Sequence, residues 1–118
     1  MKRSGFRRKN KYGAIKTMRD NVLFDSKLEA EHYEMLKLRQ LAGEIENLDL
    51  QVEIPLKIGS VSIGIYVADF AYTEGEKYVI SEAKGVETDV FKIKWKIAKA
   101  LHPDWIFELR KKWKVVRS

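Results

Sequence analysis

Two carboxylates and a lysine stand at the ends of two short apolar segments. Asp69 closes the segment YVAD, and Glu82 and Lys84 close the segment YVISEAK. A carboxylate is costly on a core-facing strand position unless a partner compensates its charge. A turn at residues 74–76 would pair the segments as antiparallel strands and bring Asp69 near Glu82, where the two repel each other unless a cation lies between them. The spacing therefore predicts a divalent metal site, and it equally fits a surface pair of Glu82 with Lys84 beside an edge-strand Asp69.

The available ligand types favour Mg²⁺ or Mn²⁺ over Zn²⁺. The chain has no cysteine and only two histidines, His32 and His102, which we expect to be capping or surface residues. Hard oxygen ligands suit Mg²⁺ and Mn²⁺. Lys84 shares a strand face with Glu82, so it is placed to orient or deprotonate a water molecule or to stabilise charge on a phosphate. No Ser-His-Asp arrangement and no phosphate-binding P-loop is evident.

Glu29 and Gln51 each have a local explanation and a functional one. Ser26 and Glu29 match a capping box, in which the glutamate accepts a hydrogen bond from the backbone N–H of the capping serine. Glu29 also shares a helix face with Tyr33 and Leu36, so it could instead point at the strands. Gln51 lies on the polar face of a strand, where it holds a water molecule or a ligand or simply faces solvent.

The hydrophobic pattern predicts the order helix, three strands, helix, strand. The first helix begins after Asp25 or Ser26 and ends at Ala42-Gly43, and the second covers residues 89–101. The expected buried stripe of the second helix is Val90, Ile93, Ile97, Ala100 and Leu101. Strands are expected at residues 48–58, 60–72, 77–84 and 105–109. A period of two places Leu48, Leu50, Val52 and Ile54 on one face of the first strand, and Val61, Ile63, Ile65, Val67 and Asp69 on one face of the second.

Charge and composition favour a small domain with a polyanionic partner. The 118 residues carry a net charge of +6, and we expect a single domain at residues 21–118 behind a basic arm at residues 1–20. The lack of cysteine and of a membrane-length apolar run predicts a cytoplasmic protein that does not enter membranes. The residues expected to contact DNA phosphates are Arg7, Arg8, Lys9, Lys11, Lys92, Lys96, Lys99, Lys111 and Lys112. A solvated tail and a solvated helix face explain the same charges.

Five segments together resemble the PD-(D/E)XK nuclease superfamily, and most of all a small phage-associated branch described as Holliday junction resolvase-like. They are FDSKLEAEHYEML, LQVEI, YVADF, SEAKG and TDVFKIKWKIA, and the similarity covers residues 11–110. It implies an α/β (mixed α+β) restriction-endonuclease-like domain, with a mixed β-sheet flanked by helices. It also implies Mg²⁺-dependent hydrolysis of phosphodiester bonds in DNA, with Mn²⁺ as a substitute. Val67-Ala68 stands where the superfamily's name places a proline, a position that varies among its members.

The resemblance assigns a role to each candidate residue. Its metal ligands would be Asp69, Glu82, the backbone carbonyl of Ala83 and, directly or through water, Glu29 of the first helix. Lys84 would be the superfamily's lysine, which helps to position the attacking water, and Gln51 matches a glutamine found in several branches. The basic ends of the chain and the lysine face of the second helix would hold the DNA backbone, which is read by shape and charge rather than by base sequence.

Several functions fit these residues. Symmetric cleavage of a four-way junction needs two active sites, so a C2 homodimer is the expectation from that function. A nuclease for nicks, flaps or duplex sites fits equally well. A non-catalytic nucleic-acid-binding protein explains the charge if the carboxylates are structural, whereas an RNA binder of the ribosomal type leaves them unexplained. Trp105, Phe107 and Trp113 fit core, DNA-stacking and interface roles alike.

Overall fold

Two helices cover the two faces of a five-stranded mixed sheet. The structure is a computed structural model and describes residues 16–118. Its elements are β1 (Thr17–Arg19), β2 (Val22–Phe24), α1 (Lys27–Leu41), β3 (Glu46–Ile58), β4 (Val61–Glu74), β5 (Lys77–Ala83), α2 (Asp89–Leu101), β6 (Ile106–Arg110) and β7 (Val115–Arg117). The mixed α/β fold class expected from the sequence is confirmed.

The large sheet has the strand order β3-β4-β5-β6-β7. The pair β5 and β6 is parallel and is connected through α2, whereas the other neighbours are antiparallel. The predicted order of helix, three strands, helix and strand occurs within this arrangement. The predicted order did not include β7 or the separate hairpin of β1 and β2. Strand β1 also lies before the domain boundary that was expected at residue 21.

Local capping signals set the ends of both helices. The Ser26 hydroxyl accepts a hydrogen bond from the backbone N–H of Glu29 at 3.0 Å, and the Thr88 hydroxyl accepts one from Phe91 at 3.2 Å. Helix α1 ends before Gly43, whose φ of +79° suits glycine. In residues 16–118, neither helix is long and apolar enough to cross a membrane.

The core is divided into two clusters by the sheet. The cluster under α2 contains the buried residues Ile54, Leu56, Tyr66, Ala68, Ala71, Ile80, Phe91, Trp95, Ala98, Phe107 and Leu109. The cluster under α1 contains Phe24, Ala30, Tyr33, Leu36, Ile45, Phe70, Tyr72 and Val79. Adjacent residues of β5, Val79 and Ile80, belong to different clusters, which places the two clusters on opposite faces of the sheet.

The face predicted for β3 is wrong, because the strand changes its inward face at Gln51. Leu48 and Leu50 pack against the α1 cluster, whereas Val52 packs against the α2 cluster. Gln51 has a φ of +54°, a left-handed conformation that breaks the alternation of side chains. Strand β4 shows the same change, because Ala68 belongs to the α2 cluster and Phe70, two residues later, belongs to the α1 cluster.

The apolar face predicted for β4 is exposed to solvent. Val61, Ile63, Ile65 and Val67 are 45–61% exposed, and the inward positions of this half of the strand are Tyr66 and Ala68. A register shift between Leu56 and Lys57 of β3 further disturbs the alternation near the hairpin tip.

The stripe predicted for α2 is also wrong. The helix buries Phe91, Trp95 and Ala98, which have the same helical spacing as the predicted set, while Val90 and Ile93 are exposed. Two apolar stripes are therefore present on this helix, and the larger aromatic side chains occupy the core.

Candidate active site

Asp69 and Glu82 lie where β4 and β5 separate. The last paired residues before this point are Phe70 and Ser81. Beyond them, side chains replace the backbone ladder: the Asp69 N–H donates to Oε1 of Glu82 at 3.0 Å, and the Ala83 N–H donates to Oδ2 of Asp69 at 3.0 Å. The structure thus brings Asp69 and Glu82 together, as the antiparallel pairing suggested.

One carboxylate oxygen of Glu82 accepts hydrogen bonds, whereas the other has no hydrogen-bond donor among the described residues. Its side chain is buried, and Oε1 accepts a hydrogen bond from the Tyr66 hydroxyl at 2.6 Å. Oε2 is also buried and has no hydrogen-bond partner among the residues that the structure describes. The nearest cation is Nζ of Lys84, at 3.8 Å from Oε2. A buried acceptor without a donor is unfavourable, so Oε2 is available to accept a proton or to bind a cation.

Glu29 joins the site from α1 and also caps the helix. Its carboxylate accepts a hydrogen bond at 3.0 Å from the backbone N–H of Asp25, one residue before the serine expected in a capping box. The side chain is only 4% exposed. Burial, followed by the negative charge of the neighbouring Asp69, raises the pKa of Glu29 to about 8. The local and the functional explanations of Glu29 are therefore compatible.

The carboxyl groups at the site do not ionise independently. Burial raises the pKa of Asp69 well above its ordinary value, and the charge of Glu82 raises it further. Burial also raises the pKa of Glu82, against the opposing effects of hydrogen bonds from Asp69 and Tyr66 and of the Lys84 charge. Near neutral pH the cluster therefore retains protons, or it binds a cation that takes their place.

The donor set is suited to a hard divalent cation without forming a complete cage. In residues 16–118, no group of three acidic, histidine or cysteine side chains has the arrangement of a metal site. The side-chain oxygens of Asp69 and Glu82 and the carbonyl of Ala83 are hard ligands, and Oε2 of Glu82 lacks a donor. Mg²⁺ commonly keeps several water ligands and takes one or two carboxylates from the protein. The residues present are compatible with that mode of binding.

Lys84 and Gln51 flank the carboxylates. Nζ of Lys84 lies 4.9 Å from the ring centroid of Phe91, in the first turn of α2, so an aromatic face supports the lysine beside the site. Gln51 of β3 lies opposite Asp69 of β4, between the register pairs Leu50–Phe70 and Val52–Ala68. Its positive φ costs a non-glycine residue about 1 kcal/mol or more, and such strain is concentrated at functional sites.

Tyr66 was missed by the sequence analysis. Strict alternation places Tyr66 and Asp69 on opposite faces of β4, and the change of face next to Asp69 removes that separation. Burial and the charge of Glu82 raise the pKa of Tyr66, so the phenol stays protonated and donates to Glu82. No local sequence signal identifies this contact.

The expected role of His32 as a capping or surface residue is wrong. His32 is fully buried, and its Nε2 lies 2.6 Å from the Ser81 hydroxyl, which donates to Glu108 at 2.7 Å. Burial lowers the pKa of His32 to about 4. Tyr72 and Arg117 complete the contacts of the Glu108 carboxylate. This network ties α1 to β5 next to Glu82, whereas His102 caps α2 as expected.

The described lysines among the predicted DNA contacts lie on α2 and in the turn after β6. Lys92 and Lys96 are exposed on α2, with Lys99 partly exposed one turn further along. Lys111 forms an ion pair with Glu87 at 3.1 Å, and Lys112 is exposed in the turn after β6. The predicted contacts of the arm, Arg7, Arg8, Lys9 and Lys11, lie outside the described residues.

Comparison with known proteins identifies one family. The family described as "Protein of unknown function (DUF1064)" matches residues 9–118, which is nearly the whole chain. No curated protein and no solved structure matches the chain significantly.

Proposed function

The chain belongs to the DUF1064 family, and we propose that it is a metal-dependent DNA endonuclease of the PD-(D/E)XK type that acts on four-way junctions. The observation that carries the proposal is the buried carboxyl cluster at the divergence of β4 and β5, with Oε2 of Glu82 lacking a donor and Lys84 beside it. A divalent cation at this position would satisfy that oxygen and would replace the protons that the cluster otherwise retains. The proposal includes a cytoplasmic location.

Some of the site residues would bind a cation, and others would position a phosphate. Asp69, Glu82 and the carbonyl of Ala83 would hold Mg²⁺ or Mn²⁺, with Glu29 acting directly or through water. Bound there, the cation would supply positive charge to the scissile phosphate and would acidify a water molecule. Tyr66 holds Oε1 of Glu82 and thereby leaves Oε2 as the available acceptor.

Lys84 provides the fixed positive charge of the site. Its ammonium group lies between the Glu82 carboxylate and the Phe91 ring, which limits its positions. From there it stabilises negative charge on a phosphate oxygen or orients the attacking water. Gln51, opposite Asp69 on β3, would accept a hydrogen bond from the same water or donate one to it. The lysines of α2 and of the turn after β6 then bind neighbouring phosphates.

A second copy of the chain supplies the second active site in this proposal. The outer half of the β3–β4 hairpin exposes Ile65 and Val67, paired in register with Pro55 and Glu53. Glu53, Pro55 and Lys57 are exposed, whereas Ile54 and Leu56 between them are buried, so Glu53 and Lys57 lie on the same face of β3. A two-fold axis that passes over the Pro55–Ile65 pair and runs perpendicular to the strands would relate the hairpins of two copies. It would place Glu53 of each copy against Lys57 of the other, and Ile65 against Ile65. This self-complementarity favours a symmetric dimer.

The test is cleavage of a labelled four-way junction beside nicked and intact duplexes of the same sequence, in Mg²⁺, Mn²⁺ or EDTA. We compare the wild type with Asp69→Asn, and use Asp104→Asn, an exposed aspartate outside the site, as the matched control. We expect the wild type and Asp104→Asn to make paired cuts in the junction. These cuts should disappear when EDTA is present, and they should be absent for Asp69→Asn. Cleavage of the duplex controls instead would retain the nuclease and reject the junction preference. DNA binding without cleavage under every metal condition would reject the enzyme and favour a non-catalytic binding protein.

A further inference from the structure

The turn between β6 and β7 presents an aromatic side chain to solvent. The backbone N–H of Lys111 donates to the carbonyl of Lys114 at 2.7 Å and closes the turn. Trp113 lies within it and is 87% exposed, the highest value for a large apolar side chain among the described residues. An indole exposed to this degree contributes nothing to the core and is available to a partner.

The other two tryptophans have ordinary structural roles. Trp95 is buried in the α2 cluster, and Trp105 stacks on His102 at a centroid distance of 3.7 Å and packs against Tyr78. Phe107, which the sequence left open as a stacking residue, is buried. Of the three aromatic candidates, Trp113 therefore remains available to a partner.

The segment around Trp113 is rich in cationic residues. Residues 110–117 contain five lysines and arginines and no acidic residue. Lys111 pairs with Glu87 and Arg117 with Glu74 and Glu108, while Lys112 and Lys114 are exposed. Nζ of Lys112 lies 5.2 Å from the Trp113 ring centroid. An aromatic surface among cations fits a ligand that is both flat and anionic, which describes a nucleobase on its phosphate backbone. An apolar protein partner would instead be expected to meet a continuous apolar surface with few charges.

The turn also adjoins the candidate active site. Arg110 pairs in register with Ala83, and its carbonyl accepts a hydrogen bond from the Lys84 N–H at 3.0 Å. Trp113 follows three residues later, so its Cα lies within about 11 Å of that of Arg110. Trp113 therefore lies within a few nucleotides of a DNA phosphate bound at Lys84.

We propose that Trp113 stacks on the exposed face of a nucleobase close to the cleaved phosphate, and that this contact selects DNA whose bases are unstacked, as at an open branch point or in a single strand. The inference rests on the proposed nuclease for the position of the scissile phosphate. The stacking itself is independent of catalysis. In intact duplex the bases are stacked on one another and are not available to the indole.

Binding in EDTA tests the stacking without any cleavage. The probes are a single-stranded oligonucleotide and an abasic strand of equal length, which carries the same phosphates but no bases. We expect the wild type to bind the base-bearing strand roughly tenfold more tightly than the abasic strand. Trp113→Ala should abolish this preference and Trp113→Phe should keep most of it. Leu41→Ala, which removes another highly exposed apolar side chain far from the basic turn in sequence, should leave it unchanged.

The alternative results are distinct. If Trp113→Ala weakens binding to the base-bearing and abasic strands equally, the residue serves the fold of the turn and the proposal is overturned. An unchanged preference for the base-bearing strand would also overturn the proposal. Thermal melting of each variant establishes that it is folded. With Mg²⁺ present, the ratio of junction to duplex cleavage should fall in Trp113→Ala. If the wild type cleaves nothing yet prefers bases through Trp113, the proposed nuclease fails while the stacking site stands.

Discussion

The substitution Glu29→Gln tests whether the carboxyl cluster is a proton reservoir in the absence of a metal. Glutamine keeps the size of the side chain and an oxygen that can accept from the Asp25 N–H, but it cannot ionise. In the folded protein the pKa of Glu29 is about 8, compared with 4.5 for the free side chain. Folding therefore favours the protonated form of this group.

The direction of the pH effect follows from these two values. Below pH 4.5 the group is protonated in both states, and its contribution to the free energy of unfolding is complete. As the pH rises toward 8, the unfolded chain releases a proton that the folded chain retains, and the free energy of unfolding falls by about 1.4 kcal/mol per pH unit. Between about pH 5 and pH 7 the loss from Glu29 amounts to roughly 2–3 kcal/mol.

Urea denaturation in EDTA across this pH range measures the effect. His32 titrates in the opposite sense in part of the range, so the informative quantity is the difference between the wild type and Glu29→Gln. Asp69 and Glu82 remain in both proteins. We expect the wild type to lose stability relative to the variant as the pH rises, and Mg²⁺ to reduce that loss. Parallel stability curves in EDTA would refute the placement of Glu29 in a buried carboxyl cluster.

Further predictions concern the site, the core network, the dimer and the DNA contacts. Asp69→Asn should lower metal-dependent cleavage by about a hundredfold or more while junction binding in EDTA persists; loss of binding and folding together would indicate a structural role instead. Burial lowers the pKa of His32 from 6.5 to about 4, so as the pH falls below 6.5 the unfolded chain takes up a proton that the folded chain does not. The stability of the wild type, measured by thermal melting, should therefore decrease between pH 6.5 and pH 4, and that of His32→Gln should decrease less. Ile65→Lys should convert a dimer to a monomer in sedimentation velocity, whereas Ile93→Lys, at a similarly exposed isoleucine of α2, should not; the reverse result would move the interface to α2. Lys96→Ala should weaken binding to all DNA structures alike and reduce the slope of log affinity against log salt by about 1, measured by a salt titration of fluorescence anisotropy.

Local signals in the sequence were sufficient for both helices, for four of the seven strands and for the approach of Asp69 to Glu82. Ser26, Thr88 and Gly43 mark helix ends through bonds and dihedral angles that involve only nearby residues, so the helix bounds could be predicted well. The turn between β4 and β5 is short, and for this reason the approach of Asp69 to Glu82 also followed from spacing. The strands β1, β2 and β7 were missed because each has only three residues and too little periodicity to detect.

The tertiary structure alone decided which side of each element faces the protein. The change of face on β3 accompanies the left-handed backbone conformation of Gln51, which periodicity does not report, and it divides the predicted face of β3 between the two sides of the sheet. Helix α2 carried two apolar stripes, and only packing selected the one with Phe91 and Trp95. Burial of His32 and the bond from Tyr66 to Glu82 likewise join residues distant in sequence. Such contacts depend on the assembled sheet, since a side chain's hydration and partners are set by whatever packs against it.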